Sequence, residues 1–213
     1  MPFIPEEGRI PRVMMGARKG IEAVRIVVVA KCPGNPAPAE KELWPQAIKG
    51  GTDRLLEAMT DWGEKCHCDP ETQKNLGGNS RYHKGLMKFL QETLNCSCEK
   101  VLDQVYFTEL LKCSMDNEDE RESVLSNKYR SYTKKCIRNW LVNELDLFPK
   151  HVVAVALGNE VYNALLAHTT HRVFYLRHPT VSSESIYNEA RKRLQKLLAD
   201  ENLPSDFEPK FNP

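Results

Sequence analysis

The chain has 213 residues, 41% hydrophobic and 28% charged, which suits one compact domain with a sizeable core. A formal net charge of +1 gives the whole molecule no electrostatic footprint for nucleic acid and counts against a tight non-specific DNA binder. No apolar run approaches a membrane span and the first residues do not read as a signal peptide, so no membrane partner and a cytoplasmic location, or a nuclear one in a eukaryote, are expected.

In chain order, residues 1–23 are rich in Pro, Gly and Arg and read as an arm without helical or strand period. The run 24–30 is β-branched and continuous, as in a strand buried on both faces. Prolines and glycines make 31–51 a long loop. Thr52 then reads as the N-cap of a helix with Leu55, Leu56 and Met59 on one face, ending near Gly63. Residues 64–81 are polar and read as an insertion, followed by a helix over 82–94 and a turn over 95–100. A strand is predicted at 105–108, an acidic loop at 114–122, an amphipathic helix over 127–147 and a strand at 152–157. Gly158 opens a helix to 166, a strand follows at 173–176, a last helix at 183–199, and 204–213 reads as a loose tail. Alternating strands and helices imply a parallel sheet covered on both faces. One α/β domain over 24–200 is expected, with 64–100 inserted and 201–213 as a tail.

Three segments close predicted strands: Lys31-Cys32-Pro33-Gly34-Asn35, Glu109-Leu110-Leu111-Lys112-Cys113 and His178-Pro179-Thr180. In open α/β sheets ligands bind beyond the carboxyl ends of the strands, so these segments define one pocket. Basic clusters occur at Lys128, Arg130, Lys134, Lys135 and Arg138, and at Arg191, Lys192, Arg193 and Lys196; both read first as solvated helix faces.

These segments resemble the motifs of the uracil-DNA glycosylase superfamily, closest to its iron–sulfur branch. That branch has Gly-Glu-Ala-Pro-Gly, Asn-x-x-Lys-Cys and His-Pro-Ser where this chain has Ala30-Lys31-Cys32-Pro33-Gly34, Glu109-Leu110-Leu111-Lys112-Cys113 and His178-Pro179-Thr180. Cys136-Ile137-Arg138-Asn139-Trp140-Leu141 and the run 148–158 are similar to the family's Cys-x-x-x-Leu helix and the strand after it. The resemblance implies a three-layer α/β/α fold with a four-stranded parallel sheet, order 2-1-3-4, and a monomer that removes a damaged or deaminated base flipped out of DNA. A binding relative without catalysis is the alternative.

The resemblance also implies site roles. His178 would stabilise the charge that develops on the leaving base, by oxyanion-hole logic. Trp44 would stack on the base, with Cys32, Pro33 and Gly34 lining the pocket. Two residues depart from the pattern. Lys31 stands where the branch has the Glu that positions water, and an ammonium is no base unless burial lowers its pKa, which leaves Asn35 as a substitute for orienting water. Glu109 replaces an Asn that reads uracil; it either pairs with Lys112 or Lys31, or changes base specificity, or is a displaced catalytic carboxylate.

Seven cysteines in a chain without a secretory signal argue against a disulfide framework. By resemblance, Cys113 and Cys136 match two ligands of a 4Fe-4S cluster, while residues 1–31 lack the usual N-terminal pair. Cys66 and Cys68, or Cys96 and Cys98, would complete a four-thiolate site for the cluster or for zinc; free or buried thiols are the alternative.

Overall fold

The β-branched runs form the sheet. In the computed structural model, which describes residues 15–31, 42, 49–76, 80–111, 130–179 and 184–203, the strands are β1 (Met15–Gly16), β2 (Ile26–Ala30), β3 (Val105–Glu109), β4 (Val153–Leu157) and β5 (Arg172–Leu176). They make one mixed α/β sheet in the order β1-β3-β2-β4-β5. β2 pairs in parallel with β3 and β4, β4 pairs in parallel with β5, and β1 runs antiparallel to β3.

Along β2, Ile26 and Val28 enter one apolar core while Val27 and Val29 enter another on the opposite face. A strand with two buried faces has no polar side to show, which is why the sequence reads as an unbroken apolar run. The first core is covered by α3 (Ser80–Leu94), α4 (Cys98–Gln104) and α7 (Glu184–Ala199). α1 (Thr52–Cys68) packs on the same side against α3, α4 and β1, and the short α2 (Pro70–Asn75) packs on α3. The second core is covered by α5 (130–145) and α6 (Asn159–His168). α5 is one continuous helix built from Arg130–Cys136, a π turn at Ile137–Leu141 and Val142–Leu145.

Four expectations are corrected. The sheet is five-stranded and mixed, because Met15–Gly16 of the expected arm adds an antiparallel edge with Met15 buried. A strand of two residues is too short to show a period in sequence. The segment 64–81 is largely helical. α1 runs through Gly63 to Cys68, and Gly63 serves close packing rather than termination: a Cβ there would stand 2.9 Å from Met15 Sδ. The turn expected over 95–100 already holds the start of α4 at Cys98. Finally, Cys68 at the end of α1 and Cys98 at the start of α4 form a disulfide, with Cα atoms 5.8 Å apart. Parity of the cysteine count bears on a framework of bridges; a single bridge needs only two helix ends packed together, as α1 and α4 are.

Candidate functional site

The sheet registers decide which segments meet. Ala30 is opposite Glu109, and Leu157 is opposite Leu176. The ladder continues past the strand ends: Leu110 N–H donates to Ala30 O at 2.8 Å, Leu111 N–H to Lys31 O at 3.0 Å, and Gly158 N–H to Leu176 O at 2.9 Å. Lys31, Glu109, Glu160 and His178 therefore sit at one edge of the sheet. With neighbouring strands about 4.8 Å apart, the end of β5 lies roughly 10 Å from that of β2 and roughly 14 Å from that of β3.

Two strand ends carry a charge arrangement that the sequence does not reveal. Lys31 Nζ lies 3.3 Å from Glu160 Oε2, and both side chains are partly buried. The pair ties the end of β2 to the first turn of α6. Glu109 was expected to pair with Lys112 or Lys31, among other roles; Lys31 makes an ion pair with Glu160, from a helix that the parallel β2–β4 pairing brings close.

His178 follows β5 and stacks on Tyr82 of α3, with ring centroids 5.2 Å apart and planes 23° from parallel. α3 comes this close because it carries Gly85 beneath Pro179: a Cβ on residue 85 would stand 3.3 Å from Pro179 Cβ. His178 keeps solvent contact, yet desolvation by the surrounding protein lowers its pKa from the usual 6.5. A neutral imidazole at pH 7 still carries one N–H donor and one acceptor.

The ring array continues inward. Tyr82 meets His83 edge-on at 5.0 Å, His83 meets His67 of α1 at 4.4 Å, and His67 lies 5.0 Å from Phe107 of β3. His67 Nδ1 is 2.8 Å from Gly63 O, and its Nε2 is 3.2 Å from His83 Nδ1. A carbonyl only accepts, so Nδ1 of His67 carries the proton; in the neutral pair its Nε2 then accepts from His83 Nδ1–H. The carbonyl of buried His67 also accepts from Gln73 Nε2 at 2.7 Å. His67, Tyr82 and His83 were not read as site residues. Their only sequence signal is a histidine between Cys66 and Cys68 and an aromatic pair at the start of a helix; the packing of α1 on α3 joins them.

The cysteines lie in different places. Cys68 and Cys98 are joined to each other, and with Cys96 they pack against the core beneath α3, α4 and α7. Cys136 packs against the core on the opposite face of the sheet. Cys66 is buried in α1. Burial raises the Cys96 thiol pKa, its largest influence, so it is a poor thiolate. Among the described residues no group of three or more metal-binding side chains converges. Cys68 and Cys98, bonded to each other, offer no thiolate, and Cys96 and Cys136 lie on opposite faces of the sheet. Cys113, together with the expected pocket residues Cys32, Pro33, Gly34, Asn35 and Trp44, lies outside the described residues.

No protein-family model matches this chain, and no curated protein matches it at a significant level. No described helix is long and apolar enough to cross a membrane.

Proposed function

We propose that this chain is a uracil-DNA glycosylase-like protein, monomeric, that binds a nucleobase flipped out of DNA at the carboxyl ends of its parallel strands and hydrolyses its N-glycosidic bond. The observation that carries the reading is His178, partly desolvated at the end of β5 and braced on Tyr82. A neutral imidazole held at a fixed orientation can donate its N–H to a base carbonyl that becomes negative as the bond to the sugar breaks. Because the ring is braced beforehand, little reorganisation is needed at that moment.

Water must also be oriented toward the sugar carbon. An ammonium in an ion pair supplies positive charge and no base, so Lys31 stabilises charge rather than activating water. Among the described residues, its partner Glu160 and the strand-end Glu109 are carboxylates suited to the second task. The same Lys31–Glu160 pair favours a second reading, a relative that binds a base without cutting, since it places an ammonium where the superfamily keeps a water-positioning side chain.

Duplex and single-stranded oligonucleotides, each carrying one damaged or deaminated base, separate the two. Excision predicts abasic sites with the wild type and at least roughly ten-fold fewer with His178→Ala. Binding alone predicts preference for the altered base over its normal counterpart with no strand sensitivity to alkali. Equal affinity for both without excision overturns both readings. Within the panel, uracil is expected to be a poor substrate, because a Glu109 carboxylate offers only acceptors to the uracil O4. Glu109→Asn should then gain uracil excision.

A further inference from the structure

Across residues 128–143 the sequence has Lys128, Arg130, Lys134, Lys135 and Arg138 and no Asp or Glu. Of these, Lys134, Lys135 and Arg138 have described side chains; all are exposed, and none pairs with a carboxylate among the described residues. Some other cations are paired, while Lys84, Lys100, Lys192 and Lys196, also exposed, make no ion pair among the described residues either. Lys65 pairs with Asp61, Lys88 with Glu184, Lys150 with Asp146 and Arg191 with Glu92. The second basic cluster of the sequence is also partly absorbed by structure, since Arg193 lies over the Phe174 ring at 5.5 Å.

Beside the unpaired cations stands Trp140, 63% exposed, among the largest apolar side chains left in water. It lies within the π turn at Ile137–Leu141. Ile137 and Leu141 are buried while Arg138, Asn139 and Trp140 are exposed together. π turns of this kind recur at functional sites.

We propose that the outer face of α5 docks single-stranded DNA, with Lys134, Lys135 and Arg138 on phosphates and Trp140 stacked on an unpaired base. Cations alone would suit any polyanion. The exposed indole decides for a single strand, because a duplex hides its base faces within its own stack whereas every unpaired base offers one. The choice of DNA over RNA rests on the base-excision reading; the surface itself needs no pocket and no altered base.

The test uses the full chain and an undamaged fluorescent oligo(dT), so it does not depend on the strand-end pocket. Anisotropy titrations over a range of salt should give a log–log slope that Lys134→Ala/Lys135→Ala/Arg138→Ala reduces by about 2, from about 0.7 per phosphate contact on a single strand. Trp140→Ala should weaken binding roughly 5- to 150-fold, and Trp140→Phe should restore most of it. Unfolding midpoints of these surface variants should match the wild type. An unchanged slope in the triple variant overturns the proposal, as does tighter binding of a blunt duplex or of oligo(U), or binding of anionic lipid vesicles in place of oligo(dT).

Discussion

The two faces of the sheet are held by different means. Beneath α3, α4 and α7 the core uses large side chains, among them Phe89, Phe107 and Phe174, and the helix ends Cys68 and Cys98 are covalently tied. Beneath α5 and α6 the central strands offer smaller ones, Ala154 and Ala156 beside Val27 and Val29, with Tyr106 and Tyr175 packed against them. There the fixed point is polar. Glu144 of α5 is buried and accepts from Tyr106 OH at 2.7 Å and from Thr108 Oγ1 at 2.8 Å, both on β3. Burial and the neighbouring carboxylate push the Tyr106 phenol far above its ordinary pKa, so it remains a donor. Apolar contacts are non-directional; a buried carboxylate that must meet two hydroxyls selects one register. Among the described elements, the face that gathers more helices uses a cross-link, and the face covered by α5 and α6 uses a directional contact.

Breaking the cross-link should have the largest effect. The bridge spans a sequence separation of 30, for which loop-closure entropy gives about 3.6 kcal/mol. Cys98→Ser, or reduction of the wild type, should lower unfolding free energy in denaturant by about that amount. Equal stability of oxidised and reduced protein would mean that the bond does not form in solution. On the opposite face, Glu144→Ala leaves two buried hydroxyls without their acceptor and should cost about 3 kcal/mol, while Glu144→Gln, which keeps one acceptor, should cost about half. If the faces are independent, Cys98→Ser and Glu144→Ala combined should sum to within about 0.5 kcal/mol. A large departure would show that strain passes through the sheet and would dissolve the distinction.

The same contrast governs what was legible in sequence. The runs at 24–30, 105–108, 152–157 and 173–176 could be read as strands because burial on two faces leaves a continuous apolar signature. The helix expected over 127–147 and that over 183–199 have amphipathic patterns and appear as α5 and α7. Residues 64–75 carry no such pattern because polar side chains cover most of α2, and Gly63 mimics a stop signal while serving contact with Met15. At the site, His178 and Glu109 were readable because they end apolar runs. Glu160, Tyr82, His83 and His67 were not, since each joins the edge through an element far away in sequence. Arg172 is a further buried residue without a sequence signal. Its guanidinium donates to Leu197 O at 2.7 Å and Asp200 O at 2.8 Å, satisfying carbonyls at the end of α7.

The smallest expected effect tests the link between the cross-linked face and the site. Tyr82 belongs to α3, on the disulfide-bearing side, and its ring is what His178 leans on. Desolvation lowers the His178 pKa below 6.5, so the folded protein binds that proton less readily than the unfolded chain. Stability from this group is therefore complete above pH 6.5 and is lost as pH falls below that value toward the folded pKa. Tyr82→Ala opens one face of the imidazole to water and should move its midpoint back up toward 6.5, flattening the acid limb of stability against pH. Tyr82→Phe keeps the ring and should leave the midpoint in place, because stacking rather than the phenol hydroxyl carries the effect. The His178 Hε1 resonance, followed by NMR from pH 4 to 8, reads this titration directly at roughly 0.1-unit precision, well inside the about 1-unit spread usual for histidines in folded proteins. A wild-type midpoint at or above 6.5, or the same midpoint in Tyr82→Ala, would separate His178 from α3 and remove the brace on which its role at the strand ends depends.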